Sequence, residues 1–492
     1  MSKSIIYAVK IKNIQNFNLI KIQIIGGGPA GFYTAKKIFQ DNPLAHIHIF
    51  EKTPFPYGLV RYGVAPDHQS IKKVTKQLSE VGTYANFRFF GNVEIGKDLL
   101  IQDLKKHYSA IIYSYGAQND KKLGIPGEDL KNVFSGRQLV NWYNGHPDYI
   151  DLNIDFSKIK NVVIIGNGNV ALDVSRTLIK AKNNTLDETD IYTPALKNIK
   201  GNNIENIHIV GRRGLIQSQF SAKEFRDFIQ NKSANFYILK DEYEKSFNKT
   251  SQTEFNDQMF SKTIIARTNY RKQKILNNIP VIDTIKDIKK LNENQINIFL
   301  RVLLSPYRVN QQNGQIKSVD FYKNTLQGEP FQQICIQDKS QSVNIQCDLL
   351  LRCIGYESYN IDPKYTPWNN QNNTIENSNG CVLSMEDKQK VQLGVYTSGW
   401  VKTGPIGILD QTMIGCIETT NNIYNHFRNE VLERKDNKCE HYINQILQEK
   451  KIRVVSFQDW LKIDQYELQK GQSKNKIREK ICTMQEILKV LE

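Results

Sequence analysis

Three glycines, Gly26, Gly28 and Gly31, followed by an acid at Glu51, have the spacing of a site for a pyrophosphate and a ribose. Gly26 allows a tight turn, Gly28 lets the backbone approach a phosphate, and Gly31 lets a helix pack close to the preceding strand. The start of that helix offers unpaired N–H groups and partial positive charge. Glu51 can accept a hydrogen bond from a ribose hydroxyl. The pattern recurs as Gly166-Asn167-Gly168-Asn169-Val170-Ala171, with alanine in the third position. Where an acid would end the next strand, this second set has Gly211-Arg212-Arg213-Gly214. Guanidinium groups suit bidentate contact with phosphate, so the second site reads as one for NADP rather than NAD. The competing readings are a ligand-free glycine turn for the first set and an exposed basic turn for the arginine pair.

A third constellation lies late in the chain, where Trp400 precedes Gly404, Pro405 and Gly407 and a helix over 410–427. A helix N-terminus at Gly407 would stabilise negative charge on a reduced flavin. Trp400 can stack on such a ring or pack in a core. His68 is a candidate for the flavin edge or a hydrogen-bonded loop residue, and Asp173 and His68 are candidates for tuning flavin protons.

The elements that must position these residues follow from hydrophobic period. Residues 22–25 and 46–50 read as strands around a helix with Phe32, Ala35 and Ile38 on one face. Residues 91–96 and 110–116 read as further strands, 57–68 as a structured loop, and 124–147 as loop-rich. The second unit runs strand 161–165, helix 172–179, strand 207–210. Residues 223–230 read as a helix carrying Glu224 and Arg226. Arg267, Arg271 and Lys274 share a helical face, either solvated or a docking patch for an acidic protein. The polar stretch 241–313 yields no assignment. Apolar runs at 109–117 and 347–355 end at glycines and suggest crossings between domains. The C-terminal stretch 451–492 is charged and amphipathic, with Trp460 as its anchor. The expected fold is α/β, with two Rossmann-like nucleotide-binding domains. Residues 21–118 and 356–492 would form the first, and 119–355 the inserted second.

Length and charge bound the rest. A chain of 492 residues supports two or three domains, and its net charge of +16 favours an acidic partner, an anionic membrane surface or nucleic acid. Seven scattered cysteines without a CxxC pair argue against a disulfide framework or a bound iron–sulfur cluster. No apolar run approaches membrane-spanning length. Residues 1–20 carry lysines and no acid, and fit a targeting segment or a ragged basic terminus.

The motifs GGGPAGFYTA (26–35), PYGLVRYGVAPDH (56–68), GNGNVALDVSR (166–176), VGRRG (210–214) and SGWVKTGPIG (398–407) occur in order, with VVSFQDW at 454–460. Together they resemble the adrenodoxin reductases, the mitochondrial-type ferredoxin–NADP reductases. The resemblance implies a flavoenzyme of the mitochondrial matrix, or of the matrix side of the inner membrane, that passes electrons from NADPH through FAD to an acidic 2Fe–2S ferredoxin. It places Ala30, Glu51, Leu59, Ile95, Trp400, Gly407, Ile408 and Leu409 at FAD, beside Gly26, Gly28 and Gly31. It places Asn167, Gly168, Asn169, Val170, Arg212, Arg213, Glu224 and Gly407 at NADP. Arg226, Arg267 and Arg271 fall where the family docks ferredoxin. No catalytic side chain, metal ligand or nucleic-acid partner is expected, and membrane contact is at most peripheral. Thr403 and Ile406 depart from the family pattern, which has Arg and Thr there. They leave open a flavin-containing scaffold subunit with lost chemistry. An FAD/NADPH module feeding another redox partner is the third reading.

Overall fold

The computed structural model describes residues 20–256, 264–288, 295–407, 409–433, 435 and 439–492. Ile408 and the segment 1–19 lie outside the described residues. Two seven-stranded sheets organise the chain. In the first, the strand order is Asn377–Ser378, Cys381–Leu383, Val391–Thr397, Ala110–Tyr113, Lys21–Ile25, His46–Glu51, Phe87–Gly91. In the second it is Val281–Ile282, Ala234–Leu239, Ile296–Arg301, Asn206–Val210, Asn161–Ile165, Leu349–Arg352, Val133–Ser135. In the first sheet the five strands from Val391–Thr397 to Phe87–Gly91 are parallel, and in the second all seven are, with Lys21–Ile25 and Asn161–Ile165 each paired to the strand that follows its helix.

The strands read as near-continuous apolar runs because helices and loops cover both faces of each sheet. Alternation decides which side chain goes where. Ile22 and Ile24 join Phe32 and Phe39 in one apolar cluster, while Ile25 joins Phe50 and Tyr113 in another. Val162 and Ile164 point one way and Val163 and Ile165 the other in the second sheet. A three-stranded antiparallel sheet, Leu304–Gln312, Gln315–Gln327 and Ile334–Gln346, extends from the second unit. Tyr356–Glu357 pairs antiparallel with Asn119–Asp120, so the outgoing and returning chain lie side by side between the two sheets.

Several elements differ from expectation. The strand expected at 91–96 is Phe87–Gly91, because Phe87, Phe89 and Phe90 supply the buried side chains and Gly91 ends the run. A Cβ at Gly91 would press on Pro54 O and the Phe89 ring at 2.8 Å each. The stretch 124–147 holds the strand Val133–Ser135 and the helix Gly136–Tyr143, started by a reciprocal capping box between Ser135 and Gln138. The loop 57–68 contains a helical turn, Leu59–Tyr62. The unassigned stretch 241–313 contains the helices Lys249–Asn256 and Ile264–Leu276 and the fully buried strand Ile296–Arg301. The tail helix Phe457–Gln472 begins at a Ser456–Asp459 capping box and buries Trp460 edge-on to Phe55 and Tyr57.

Candidate functional site: two dinucleotide turns and the loop between them

The first turn fits a pyrophosphate. Gly26 has φ +111°, and a Cβ there would lie 2.6 Å from Ser114 O, at the tip of the neighbouring strand. At Gly31 a Cβ would lie 2.2 Å from Gly26 O, so the helix Pro29–Asp41 sits as close to its turn as glycine allows. At Gly28 a Cβ would meet nothing within 4 Å, and no side chain caps the helix. The first-turn N–H groups of a helix have no intrahelical acceptors. An uncapped start facing open space is therefore a place for an anion. Glu51 accepts from the Gly27 N–H at 2.8 Å and from the Thr53 N–H at 3.0 Å, which fixes its carboxylate beside the turn. Burial raises its carboxyl above the usual range, partly offset by those two backbone bonds.

The other residues expected at FAD gather around this turn. A Cβ at Gly399 would lie 2.5 Å from the Ala30 Cβ, and Thr34 Oγ1 bonds to Ser398 Oγ at 3.2 Å, so 398–400 abuts the helix start. Leu59, half-buried, follows Gly58, whose Cβ would lie 3.1 Å from Gly28 Cα. Ile95 is buried in the Phe50 and Tyr113 cluster with Val401. Trp400 opens the short helix Trp400–Thr403, its ring stacked on Tyr356 of the returning chain at 5.7 Å. Gly407 has φ +93°, and Leu409 starts the helix Leu409–Arg428, whose Cys416 thiol donates to Ala30 O. Thr403 Oγ1 turns back onto Gly404 O, whereas Ile406 is 78% exposed.

The second turn repeats this geometry with different chemistry. Gly166 has φ +126°, and a Cβ there would lie 2.1 Å from Cys353 O, again at a neighbouring strand tip. Gly168 faces open space, and the helix Asn169–Lys182 has no side-chain cap. Asn167 lies over Gly211, where a Cβ would lie 2.1 Å from its Nδ2, and among the described residues its buried Oδ1 has no partner. Asn169 Oδ1 accepts from the Ser221 N–H at 2.9 Å, tying the turn to the helix Ala222–Ile229. A Cβ at Gly136 would lie 3.2 Å from Val170 Cγ1. Arg212 is exposed and Arg213 half-buried. Asn324 Nδ2 donates to Arg212 O at 2.8 Å and the Leu303 N–H to Arg213 O at 3.2 Å, so backbone bonds fix the turn and leave the guanidinium groups available.

The loop 56–68 bridges the two turns. Tyr57 N–H donates to Gly27 O at 2.7 Å at one end. At the other, Asp67 accepts from Arg176 Nε at 2.6 Å and pairs with Lys180 at 2.8 Å, both on the helix that starts at the second turn. Burial would raise the Asp67 carboxyl, but the Arg176 and Lys180 contacts outweigh it and hold it well below the usual range. Arg176 also bonds Asp173 at 2.6 Å, and His68 Nε2 lies 3.7 Å from Glu224 Oε2. His68, Asp173 and Glu224 thus come within 4.8 Å of one another. Burial, then Arg176, lowers the His68 imidazole, and burial raises Asp173. Arg176 and Asp67 sit inside quoted motifs, yet their pairing across 109 positions carries no signal in sequence.

Arg226 on the helix Ala222–Ile229, and Arg267 and Arg271 on Ile264–Leu276, are all exposed. These two helices pack together, so the three arginines lie on neighbouring elements beside the second turn.

Two uncapped glycine turns on matched parallel sheets define a pyridine nucleotide-disulphide oxidoreductase fold, and the family model of that description matches residues 20–238. The solved structure of FprA, an oxidoreductase of Mycobacterium tuberculosis, covers 96% of this chain and 99% of its own at 27% identity and a TM-score of 0.83. FprA in complex with NADPH matches at 26% identity and the same TM-score. More specifically, the chain belongs to the NADPH:adrenodoxin oxidoreductase family. The mitochondrial member from Arabidopsis thaliana is 33% identical over 471 residues, 95% of each chain. The Homo sapiens member is 33% identical over 475 residues, 96% of this chain and 92% of its own.

Proposed function

We propose that the first turn holds FAD and the second NADP, with residues 21–118 and 356–492 as the FAD domain and 119–355 as the NADP domain. The chain is an oxidoreductase that takes electrons from NADPH and delivers them to an iron–sulfur ferredoxin of the adrenodoxin type. The carrying observation is the pair of uncapped turns of like topology with opposite charge at the second strand tip, Glu51 in one and Arg212 and Arg213 in the other. Bound at the first turn, FAD supplies the conversion from two-electron to one-electron transfer that a nicotinamide and an iron–sulfur cluster cannot make directly.

The chain's own residues bind and orient. Backbone N–H groups after Gly28 and Gly168 meet the two pyrophosphates, with Gly26, Gly31, Ala30 and Leu59 shaping the first cradle and Asn167, Asn169 and Val170 the second. Glu51 accepts from a ribose hydroxyl, and Arg212 and Arg213 hold the 2′-phosphate. Ile95, Trp400, Gly407 and Leu409 enclose the flavin, and Glu224 and Gly407 line the nicotinamide end. The Asp67–Arg176 pair fixes one sheet against the other so that the two ligands meet in one orientation. Arg226, Arg267 and Arg271 dock the acidic ferredoxin. The curated relatives are named mitochondrial, and no helix among the described residues is long and apolar enough to cross a membrane. On this reading the protein works in the matrix or on the matrix face of the inner membrane.

Purified protein should be yellow and release intact FAD in acid. NADPH-dependent cytochrome c reduction should rise steeply on adding a 2Fe–2S ferredoxin. Folded, colourless protein that cannot be reconstituted, or reduction indifferent to ferredoxin, refutes this reading.

A further inference from the structure

Lys272 is an exceptional lysine. It is 5% exposed, on the inward side of the helix Ile264–Leu276, next to the outward-facing Arg271. Its ammonium donates to the backbone Ser218 O and lies 5.4 Å from the Phe220 ring centroid. Among the described residues no carboxylate pairs with it. Its charged neighbour is instead a like charge, Arg213. Burying an ammonium without a counter-charge is costly. Burial first, and then Arg213, push this one down to about 8.

The surroundings are also incomplete. Ser218 is 5% exposed, and among the described residues its Oγ has no partner. Gln217 Oε1 is likewise buried and unpaired. Lys272, Arg213 and Ser218 thus bring two cations and an idle hydroxyl to the foot of the turn 211–218. Such a set is short of one anion. A phosphate would supply acceptors to the ammonium and the hydroxyl and cancel the repulsion between Lys272 and Arg213.

We propose that Lys272 and Ser218 complete the site for the 2′-phosphate of NADP, with Lys272 as a third cation beneath the arginine pair. This rests on the reading of Arg212 and Arg213 as the 2′-phosphate clamp. It also gives the helix that carries Arg267 and Arg271 a direct contact with the nucleotide, so that the ferredoxin-docking element is braced by the bound coenzyme.

The test is calorimetric titration of the FAD-loaded protein with adenosine 2′,5′-bisphosphate and, in parallel, adenosine 5′-monophosphate. Lys272→Met should weaken the bisphosphate about tenfold or more and leave the monophosphate unchanged. Lys272→Arg should restore most of the loss. Ser218→Ala should weaken the bisphosphate alone, by a few-fold. Equal weakening of both ligands would mean that Lys272 only holds the turn together, and would overturn the proposal, as would no change in either. The Arg212→Ala/Arg213→Ala protein separates the two levels. If it loses bisphosphate affinity while Lys272→Met does not, only the role of Lys272 fails. If it binds the bisphosphate as the wild type does, the 2′-phosphate clamp itself is misplaced.

Discussion

The two glycine turns share a backbone and differ in three places. Both first glycines adopt positive φ against a neighbouring strand tip, Ser114 O in one and Cys353 O in the other, and both second glycines face open space. The third position differs, Gly31 against Ala171. At Gly31 a methyl would lie 2.2 Å from Gly26 O, whereas Ala171 is accommodated fully buried. The second strand tips differ as well. Glu51 is tied down by the Gly27 and Thr53 N–H groups, while among the described residues Arg212 and Arg213 are held through their backbone. The surroundings differ last, since exposed arginines stand near the second turn. On the proposed assignment, topology makes a dinucleotide site, and the few residues at the strand tip choose which dinucleotide.

The largest effect should come from exchanging the third positions. Gly31→Ala places a methyl against a backbone oxygen that cannot move without opening the turn. Overpacking of this kind costs about 1–3 kcal/mol or more, and here it falls on the cradle itself, so the protein should purify largely without flavin. Ala171→Gly removes a methyl from a tolerant position and should cost about 1 kcal/mol of helix stability while retaining NADP binding. Flavin content by absorbance decides it, and a Gly31→Ala protein that keeps full flavin would show that the first helix can shift.

Next is the charge at the strand tips. Arg–phosphate contacts are worth roughly 1.5–3 kcal/mol each. After discounting for exposure, Arg212→Ala with Arg213→Ala should erase a preference for NADPH over NADH on the order of 10² to 10³. The loss should fall mainly on NADPH. An unchanged NADPH/NADH ratio of kcat/KM would remove the physical basis for distinguishing the two turns.

The parts legible in sequence are those that local geometry dictates. Glycines at positive φ, a helix starting without a cap, and an acid or arginine at a strand tip leave marks at fixed spacing. Trp460 was also legible, as a lone large aromatic anchoring a charged tail, and it is buried against Phe55 and Tyr57. The strand Phe87–Gly91 lies before the position its sequence suggests because its glycine ends the strand, and glycine alone does not say on which side the strand lies. The helix Gly136–Tyr143 is hidden in sequence because its start signal, Ser135 with Gln138, lies in a stretch rich in turn residues. Ion pairs between distant segments left no trace. Arg61 meets Glu467 across 406 positions, and Lys72 meets Asp190 across 118.

Those distant pairs supply the third test, on what joins the turns. Asp67 is held by Arg176 and Lys180, and Asp190 by Lys72 and Lys480. Both carboxyls are buried, yet their cationic partners hold them below the usual range. A depressed carboxyl contributes stability that is present above its unfolded value, about 4, and lost as pH falls below it. Each should contribute on the order of 2 kcal/mol at neutral pH. Acid titration below pH about 4 should therefore loosen the two sheets' mutual orientation, seen as a larger radius of gyration in solution scattering. Asp67→Asn should show part of that change at neutral pH. An acid transition unaltered by Asp67→Asn would mean that Asp190 and the linker strands fix the orientation without Asp67.

The smallest effect concerns the surroundings of the second turn. Arg267 and Arg271 are exposed, four positions apart on one helix, and exposed charges act mainly on association rate and are screened by salt. Arg267→Glu with Arg271→Glu should slow ferredoxin-dependent turnover about tenfold at low ionic strength. The gap should close near 0.5 M salt, where the Debye length falls to roughly 4 Å. NADPH oxidation by a small artificial acceptor should not change, because the reversed charges do not line the nucleotide turn. Equal loss of both activities would mean that these arginines hold the NADP domain together. Loss of neither would leave the basic helix face as solvated surface, and the two turns would then differ only at their strand tips.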